Sequence, residues 1–271
     1  MSKEPEVLIG EGSVLLTLHG HVGNVHLNRP ETANGLDVET LADLRRVLMA
    51  CHGERRIRAA LLTGAGANFC AGGNVKTFLS KGDQLPYYIR QATAALQEVI
   101  SLLIHLDAPS ICAVQGFAAG GGGMGLVCAS DLVIAADNAS FLAGATRVAM
   151  APDAGLSVTL PRLIGARKAA EMLLLNNTVK APEALAMGLI NSVAPAAELP
   201  SAAMEIARQL ASAAPRAQAA TKRLLWAGIG LSVDASMPEE SRTVAELCRT
   251  SDVQEGLSAV VGKRPAQFTG N

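Results

Sequence analysis

Aromatic and charged residues are both scarce in this chain of 271 residues. Aromatic residues make up 3% of the sequence and charged residues 17%, and the formal net charge is −1. Proteins that bind nucleic acid offer basic surfaces and aromatic platforms for the bases, so nucleic acid is not an expected partner. Because 49% of the residues are hydrophobic, the composition excludes a disordered chain and predicts that self-association covers part of the apolar surface.

Cysteine pairs and targeting segments are also missing. The five cysteines form no CxxC pair and lie mostly in apolar runs, which favours a reducing compartment. The N-terminal segment carries Glu4 and Glu6 and no apolar run, so we predict neither a secretory signal nor a transit peptide and expect a cytoplasmic protein. The apolar run at 111–129 has the length of a membrane span, but it contains four consecutive glycines, and we interpret it as buried core.

Several common catalytic signatures do not occur. The sequence has no GxSxG elbow, HExxH helix or GxxxxGK[ST] loop, so serine hydrolase, zincin and P-loop chemistry lack their usual motifs. Histidines are present at 19, 21, 26, 52 and 105, and the pair His19 and His21 has no cysteine or carboxylate beside it at ligand spacing. We therefore expect no metal site.

The hydrophobic pattern predicts an α/β fold. Alternating or buried runs predict strands, and a 3.6-residue period predicts the helices between them. The predicted strands are 14–18, 22–27, 58–62, 110–114 and 132–135, and the predicted helices are 38–51 and 87–105. Beyond Pro152 the pattern is nearly all helical, with segments at 166–175, 182–187, 202–213, 216–227 and 239–249. We divide the chain into a core at 1–195 and a helical C-terminal region at 196–271.

Two glycine-rich loops follow two of the predicted strands. They are NFCAGGN at 68–74 and AAGGGGMGL at 118–126, and the second opens a helix. Small residues let a backbone approach a ligand closely, and the free N–H groups at the start of a helix favour negative charge. Together the loops can form an oxyanion hole, although either loop alone is better explained by tight turns and close helix packing.

Six segments in order resemble the crotonase, or enoyl-CoA hydratase/isomerase, superfamily. They are HLNRPETANGL (26–36), LLTGAGANFCAGGN (61–74), the segment from APSICAV to DLVIA (108–135), the segment from APDAG to EMLL (151–174), EALAMGLINSV (183–193) and EGLSAVVGKRPAQF (255–268). The resemblance implies a crotonase-like spiral of ββα units with a helical C-terminal region for trimerisation. It also implies an acyl-CoA thioester as substrate, so CoA is part of the substrate and no separate cofactor is expected.

The same resemblance implies which residues handle the thioester. By motif position the two N–H groups of the oxyanion hole belong to Ala71 and Gly122. Contacts with CoA are implied for Glu31, Thr32, Ala33, Gly72, Gly73, Asn74, Lys263 and Phe268. In relatives the last two often act across a subunit contact, and the far wall of the acyl pocket is expected from the helix around 76–95.

The acidic residues depart from the hydratase pattern. Hydratases of this kind carry two glutamates, at the positions of Gly125 and Ala145. Asp153 stands where family isomerases, including ring-opening epoxide isomerases and some 3-enoyl-CoA isomerases, place their single catalytic carboxylate. The alternative interpretation of Asp153 is an N-cap for the following helix. The glycine loops and the missing glutamates favour catalysis.

The sequence therefore predicts an acyl-CoA isomerase in which Asp153 carries a proton between carbons of an enolate. Three alternatives stay open: an enoyl-CoA hydratase, an aryl-CoA dehalogenase with Asp153 as nucleophile, and a family member that binds acyl-CoA without turnover. The dehalogenases carry a tryptophan at the position of Ala145, and the single tryptophan here is Trp226. We expect a homotrimer or a dimer of trimers, with no nucleic acid or membrane partner.

Overall fold

The computed structural model describes residues 4–271, which form ten strands and eleven α-helices. The strands are β1 (Glu6–Ile9), β2 (Val14–His19), β3 (Val22–Leu27), β4 (Ala59–Gly64), β5 (Ser110–Val114), β6 (Phe117–Ala119), β7 (Leu132–Ala136), β8 (Ser140–Leu142), β9 (Val179–Lys180) and β10 (Ser192–Ala194). One sheet has the order β1-β2-β3-β4-β5-β7-β10, and a second, small sheet has the order β6-β8-β9.

The helices surround these sheets and fill the C-terminal third. They are α1 (Val38–Gly53), α2 (Val75–Ser80), α3 (Leu85–Ile104), α4 (Gly120–Ala129), α5 (Leu156–Ile164), α6 (Ala166–Leu175), α7 (Ala181–Ala186), α8 (Leu199–Ser212), α9 (Pro215–Gly228), α10 (Val233–Leu247) and α11 (Ser251–Val261). The mixed α/β architecture confirms the predicted class. The predicted strands at 22–27 and 110–114 and the helix at 166–175 have the observed bounds.

The topology brings the two glycine loops together. β3, β4, β5, β7 and β10 run parallel, so their carboxyl ends meet at one edge of the large sheet. The first glycine loop follows β4 and the second follows β5, its neighbour. The loops are joined where the Ala119 N–H donates to the Cys70 carbonyl over 2.9 Å. A candidate site at this edge is thus a consequence of strand order.

The run at 111–129 is buried, as predicted. It forms β5, β6 and α4, and every residue of β5 is buried. Among residues 4–271 no helix combines the length and the apolar character that a membrane crossing requires. The cysteines in this part of the chain are all unpaired, and all except Cys248 are buried.

The C-terminal region is less separate from the core than the sequence suggested. Leu199, Ala203, Ala207 and Ala211 of α8 belong to the buried core beneath the sheet. The division of the chain at 195 stays a prediction. Large apolar side chains are exposed on α9, α10 and α11, among them Leu225, Val233, Val244, Val260 and Val261. Trimerisation through these helices stays a prediction.

Candidate functional site

An apolar cavity of about 260 Å³ lies between the two glycine loops, α3 and the segment that follows β8. Most of its lining is aliphatic or glycine. The side chains with polar groups that line it are Thr93, Arg147 and Asp153. A cavity with this lining suits an apolar acyl group and leaves a single carboxylate to do acid–base chemistry.

Close backbone packing forms the floor of the cavity. Gly72 has a φ of 80°, and a Cβ placed on it would overlap the Ala119 carbonyl oxygen. The Gly72 carbonyl accepts the N–H of Leu36 over 2.8 Å, which ties the first glycine loop to the segment before α1. Only glycine combines this left-handed conformation with such an approach between loops.

The structure corrects the role predicted for Ala71. Its N–H already donates to the Ala33 carbonyl over 2.9 Å, so it is not free to bind a thioester oxygen. Two residues later, the N–H of Gly73 has no recorded acceptor among residues 4–271, and Gly73 lines the cavity. The unpaired donor of this loop is therefore Gly73 rather than Ala71.

Gly122 lies in the first turn of α4, on the other side of the cavity floor. The N–H groups in the first turn of a helix have no acceptor within the helix, and those of α4 include Gly120, Gly121 and Gly122. A Cβ on Gly122 would stand 3.2 Å from the Gly72 Cα, so the two glycine loops are in close contact here. The helix dipole adds a partial positive charge at the same end.

Asp153 is half-buried in the cavity wall and does not cap a helix. α5 begins at Leu156 with Gly155 as its N-cap, and no side chain makes a capping hydrogen bond there. The Asp153 carboxylate lies so close to Gly121 that a Cβ on that glycine would overlap it. Burial raises the pKa of the Asp153 carboxyl, and a hydrogen bond with its own backbone N–H offsets part of that rise.

Of the two positions at which the resemblance expects hydratase glutamates, 125 and 145, packing restricts the first. Ala145 lines the cavity with a methyl group. Gly125 is buried inside α4, where a Cβ would stand 2.5 Å from the Cβ of Ala154. A glutamate at 125 would therefore displace the loop that carries Asp153.

The residues predicted to contact CoA fall into two groups. Glu31 and Thr32 lie in a short 3₁₀ turn at Pro30–Thr32, and the bond from Ala71 to Ala33 holds this turn against the first glycine loop. Gly72 and Gly73 lie in that loop, and Asn74 follows them. The Asn74 side-chain oxygen is occupied as the cap of α2, where it accepts the Thr77 N–H over 3.2 Å.

Lys263 and Phe268 lie elsewhere in the protomer. Phe268 packs beside Gly256 of α11, and neither residue lines the cavity. Within one chain the structure does not bring them to the other predicted CoA contacts. Their action across a subunit contact stays a prediction.

Sequence reasoning missed two residues of the cavity wall. The Phe78 ring lies against Gly73, so that a Cβ on Gly73 would overlap it. Arg147 lines the opposite wall and donates to the Asn176 carbonyl over 2.8 Å. Phe78 falls in the helical segment expected to form the far wall, but no motif marks it as a contact of an oxyanion donor.

No group of three or more His, Cys, Asp or Glu side chains between residues 4 and 271 is placed to hold a metal ion. The histidines serve local hydrogen bonds instead. His26, for example, pairs with the Thr63 hydroxyl over 2.8 Å and does not line the cavity that contains Asp153.

Comparison with known proteins places this geometry in a family. The enoyl-CoA hydratase/isomerase family model matches residues 17–271. A probable enoyl-CoA hydratase of Rhodobacter capsulatus is 34% identical over 97% of this chain and 96% of that protein. An (E)-benzylidenesuccinyl-CoA hydratase of Thauera aromatica is 36% identical over 95% of this chain and 99% of that protein.

Other relatives have names from different reaction types. A 1,2-epoxyphenylacetyl-CoA isomerase of Escherichia coli is 33% identical over 90% of this chain and 93% of that protein. A 4-chlorobenzoyl coenzyme A dehalogenase of an Arthrobacter species is 32% identical over 82% of this chain and 81% of that protein. The family thus spans several reactions on CoA thioesters.

A solved structure agrees with the sequence matches. The crystal structure of an enoyl-CoA hydratase from a Polaromonas species superposes with a TM-score of 0.91, at 32% identity, over 95% of this chain and 100% of that one. This confirms the crotonase-like fold. The chain belongs to the enoyl-CoA hydratase/isomerase family.

Proposed function

We propose that this protein is an acyl-CoA isomerase, which moves a double bond or opens a ring in a CoA thioester through an enolate. The observation that carries the proposal is Asp153, the single carboxylate among the residues that line the cavity. It is half-buried, does not cap a helix, and has a raised pKa because of burial. A carboxylate in this state can accept a proton from carbon and return it.

The backbone N–H groups of Gly73 and Gly122 are the proposed oxyanion donors. They line one cavity, and the N–H of Gly73 has no recorded partner among the described residues. Enolate formation places negative charge on the thioester oxygen, and preorganised donors stabilise that charge. Losing one such donor costs on the order of 10² to 10³ in rate.

Asp153 then carries the proton. Its ionised carboxylate takes a proton from the α or γ carbon as the electron pair moves toward the thioester oxygen. The enolate collapses, and the protonated Asp153 returns the proton to the other carbon, so that the carboxylate is regenerated. No redox partner is consumed, and no cofactor is needed besides the CoA that the substrate carries.

CoA is proposed to lie along the 3₁₀ turn at 31–33 and the first glycine loop. The bonds between Ala33 and Ala71, and between Leu36 and Gly72, place these segments side by side. Lys263 and Phe268 are proposed to contact CoA from a neighbouring copy in a homotrimer or a dimer of trimers.

The cytoplasm is the proposed compartment, because the buried cysteines at 51, 70, 112 and 128 are free thiols.

Hydration is the second candidate, and the names of the relatives from Rhodobacter capsulatus and Thauera aromatica favour it. Asp153 would then activate water alone, because positions 125 and 145 offer no carboxylate. Dehalogenation has less support. Trp226 donates to Asp131 rather than lining the cavity, and no tryptophan is among the cavity residues.

A turnover panel tests the proposal. Purified protein is given 3-enoyl, 2-enoyl, epoxide and aryl-halide CoA esters, and the products are separated by liquid chromatography and mass spectrometry. We expect products of unchanged mass from the 3-enoyl or epoxide ester. A product 18 mass units heavier from the 2-enoyl ester would favour hydration, and saturable binding without any product would favour the non-catalytic alternative.

A further inference from the structure

Asn34 is almost fully buried, with 1% of its surface exposed, and it has the left-handed conformation with a φ of 55°. Its polar groups all have partners. Its backbone N–H donates to the Arg29 carbonyl over 2.8 Å, and its side-chain oxygen accepts the Arg29 N–H over 2.8 Å. Its side-chain nitrogen donates to the carbonyls of Ala65 and Asn68 over 3.0 and 2.9 Å.

The remaining group of Asn34, its carbonyl, connects to the first glycine loop. It accepts the Cys70 thiol over 3.2 Å, and the Cys70 sulfur accepts the Gly72 N–H over 3.4 Å. Burial raises the pKa of the Cys70 thiol to about 12, so the sulfur keeps the proton that it donates. The connection therefore runs from Asn34 through Cys70 to the residue before Gly73.

We call Asn34, Arg29, Ala65, Asn68 and Cys70 the Asn34 hub. It joins the segment that precedes the 3₁₀ turn, the loop after β4, and the glycine loop. The site has little room for another arrangement, since a Cβ on Gly64 would stand 2.9 Å from the Asn34 side-chain nitrogen. Asparagine suits the position, because it tolerates a positive φ and offers both a donor and an acceptor.

The hydrogen bonds of the first glycine loop determine which of its N–H groups can serve the site. The hub and the neighbouring bonds engage the N–H groups of Ala71 and Gly72, while the N–H of Gly73, beside the cavity, has no acceptor within residues 4–271. A shift of the loop by about 1 Å would misplace that donor, and misplacements of this size cost roughly 10²-fold in rate.

We propose that Asn34 is a positioning residue: its side-chain hydrogen bonds fix the place of its carbonyl, which holds Cys70 and thereby aims the Gly73 N–H at the thioester oxygen. The proposal rests on the proposed function, because it takes Gly73 as an oxyanion donor. It assigns a role in that function to Asn34 and Cys70, two buried residues that do not line the cavity. A merely structural role would lower stability and leave the polarisation of the thioester unchanged.

The test combines kinetics with infrared spectroscopy. Acetyl-CoA labelled with ¹³C at the thioester carbonyl is bound to the protein, and the carbonyl band is compared with that of free acetyl-CoA. In the wild type the band is expected at lower wavenumber. Asn34→Gly keeps the backbone conformation but removes the side-chain bonds, and we expect it to lose most of the band shift. Its kcat should fall about 10- to 100-fold, with KM within about threefold.

Cys70 offers an independent pair of variants if Asn34→Gly fails to fold. Cys70→Ser keeps a donor and an acceptor, and we expect it to retain the band shift and kcat. Cys70→Ala removes both bonds and is expected to behave like Asn34→Gly. Ser110→Ala is the matched control, because buried Ser110 exchanges two hydrogen bonds with Asp131 at the opposite end of β5. This control should lose thermal stability and keep the wild-type band shift.

The outcomes separate this proposal from the proposed function. A full band shift and kcat in Asn34→Gly or in Cys70→Ala would overturn the positioning role. A wild type with no band shift would overturn it too, since there would be no oxyanion site to position. A wild type with the band shift but no isomerisation of any panel substrate would contradict the isomerase and leave the positioning role supported.

Discussion

Two aspartates, Asp131 and Asp153, lie in opposite environments. Asp131 pairs with the Lys222 ammonium over 2.8 Å, accepts the Ser110 N–H and hydroxyl, and accepts the Trp226 indole N–H over 3.1 Å. Among the described residues, the Asp153 carboxylate has only its own backbone N–H as a hydrogen-bond partner. The Asp131 carboxylate is fixed by an ion pair and by hydrogen bonds, whereas the Asp153 carboxylate is available to exchange a proton.

The two environments give the same kind of side chain a structural role at Asp131 and a proposed chemical role at Asp153. A half-buried carboxylate that is paired and hydrogen-bonded holds elements together, here α9 against the start of β7. A carboxylate kept in an apolar wall without partners has a destabilised charged form, which is a cost to folding and an advantage for proton transfer. The two sites therefore predict opposite responses to similar substitutions.

The largest effect is expected on turnover at Asp153. Asp153→Asn is nearly isosteric but carries no proton, and general acid–base catalysis contributes about 10² to 10⁴-fold. We expect kcat to fall by that factor on the substrate identified by the panel, with little change in KM. Asp131→Asn is the matched control and should keep kcat while losing stability. Equal activity of Asp153→Asn and wild type would contradict the assignment.

The next effect concerns stability at the other aspartate. Lys222 is 5% exposed and also donates to the carbonyls of Leu103 and Ala108. Removing one partner of a buried ion pair typically costs about 3–5 kcal/mol, and because the Asp131 side chain is 19% exposed, Lys222→Met should lower the free energy of unfolding by at most that amount in urea titrations. The double variant with Asp131→Asn should recover part of the loss. A loss below about 1 kcal/mol would mean that this contact does not hold α9 to the core.

A smaller effect on turnover is expected at Gly121. A Cβ there would overlap the Asp153 carboxylate, so Gly121→Ala should turn that side chain away. We expect kcat to fall about 10- to 100-fold, as for other small misplacements of catalytic groups. Gly53→Ala is the control, since its Cβ would meet no atom within 4 Å, and it should keep full activity. Unchanged kinetics in Gly121→Ala would place the reacting carboxylate elsewhere.

The smallest effect is the pH dependence of stability. The folded state raises the pKa of Asp153, so it binds a proton that the unfolded state has released, and stability falls as pH rises through the folded pKa. Asp153→Asn has no titrating carboxyl at this position, so it does not lose stability through this titration. Its melting temperature should match the wild type below pH 3.8, the ordinary pKa of the group, and exceed it at neutral pH. A difference that is independent of pH would argue that the carboxyl is not buried in solution.

The sequence predicted the large sheet more completely than the small one. β3 has a period-two alternation and β5 is a short buried run, and the bounds of both were predicted correctly. β6, β8 and β9 have only two or three residues each, too few for a period to be visible. These strands pair with segments that are far away in sequence, and a local sequence pattern does not indicate such pairing.

The candidate site shows the same limit. Asp153 was assigned from its motif, and its catalytic role stays a prediction; the structure adds that its side chain does not cap α5, which begins at Leu156 with Gly155 as its N-cap. The assignment of Ala71 failed because a bond to Ala33, far away in sequence, occupies its N–H. Tertiary hydrogen bonds decide which N–H group of a glycine loop is free to bind a ligand. The sequence motif therefore identifies the loop but not the donor.

Deuterium incorporation tests the central claim about Asp153 most directly. The wild type and Asp153→Asn are incubated in D₂O with the CoA ester that the panel identifies, and the label at the α and γ carbons is measured by mass spectrometry and NMR. The account predicts label at one of these carbons with the wild type, at a rate comparable with turnover, and incorporation about 10² to 10⁴-fold slower with Asp153→Asn. Label entering at the wild-type rate in Asp153→Asn would contradict it.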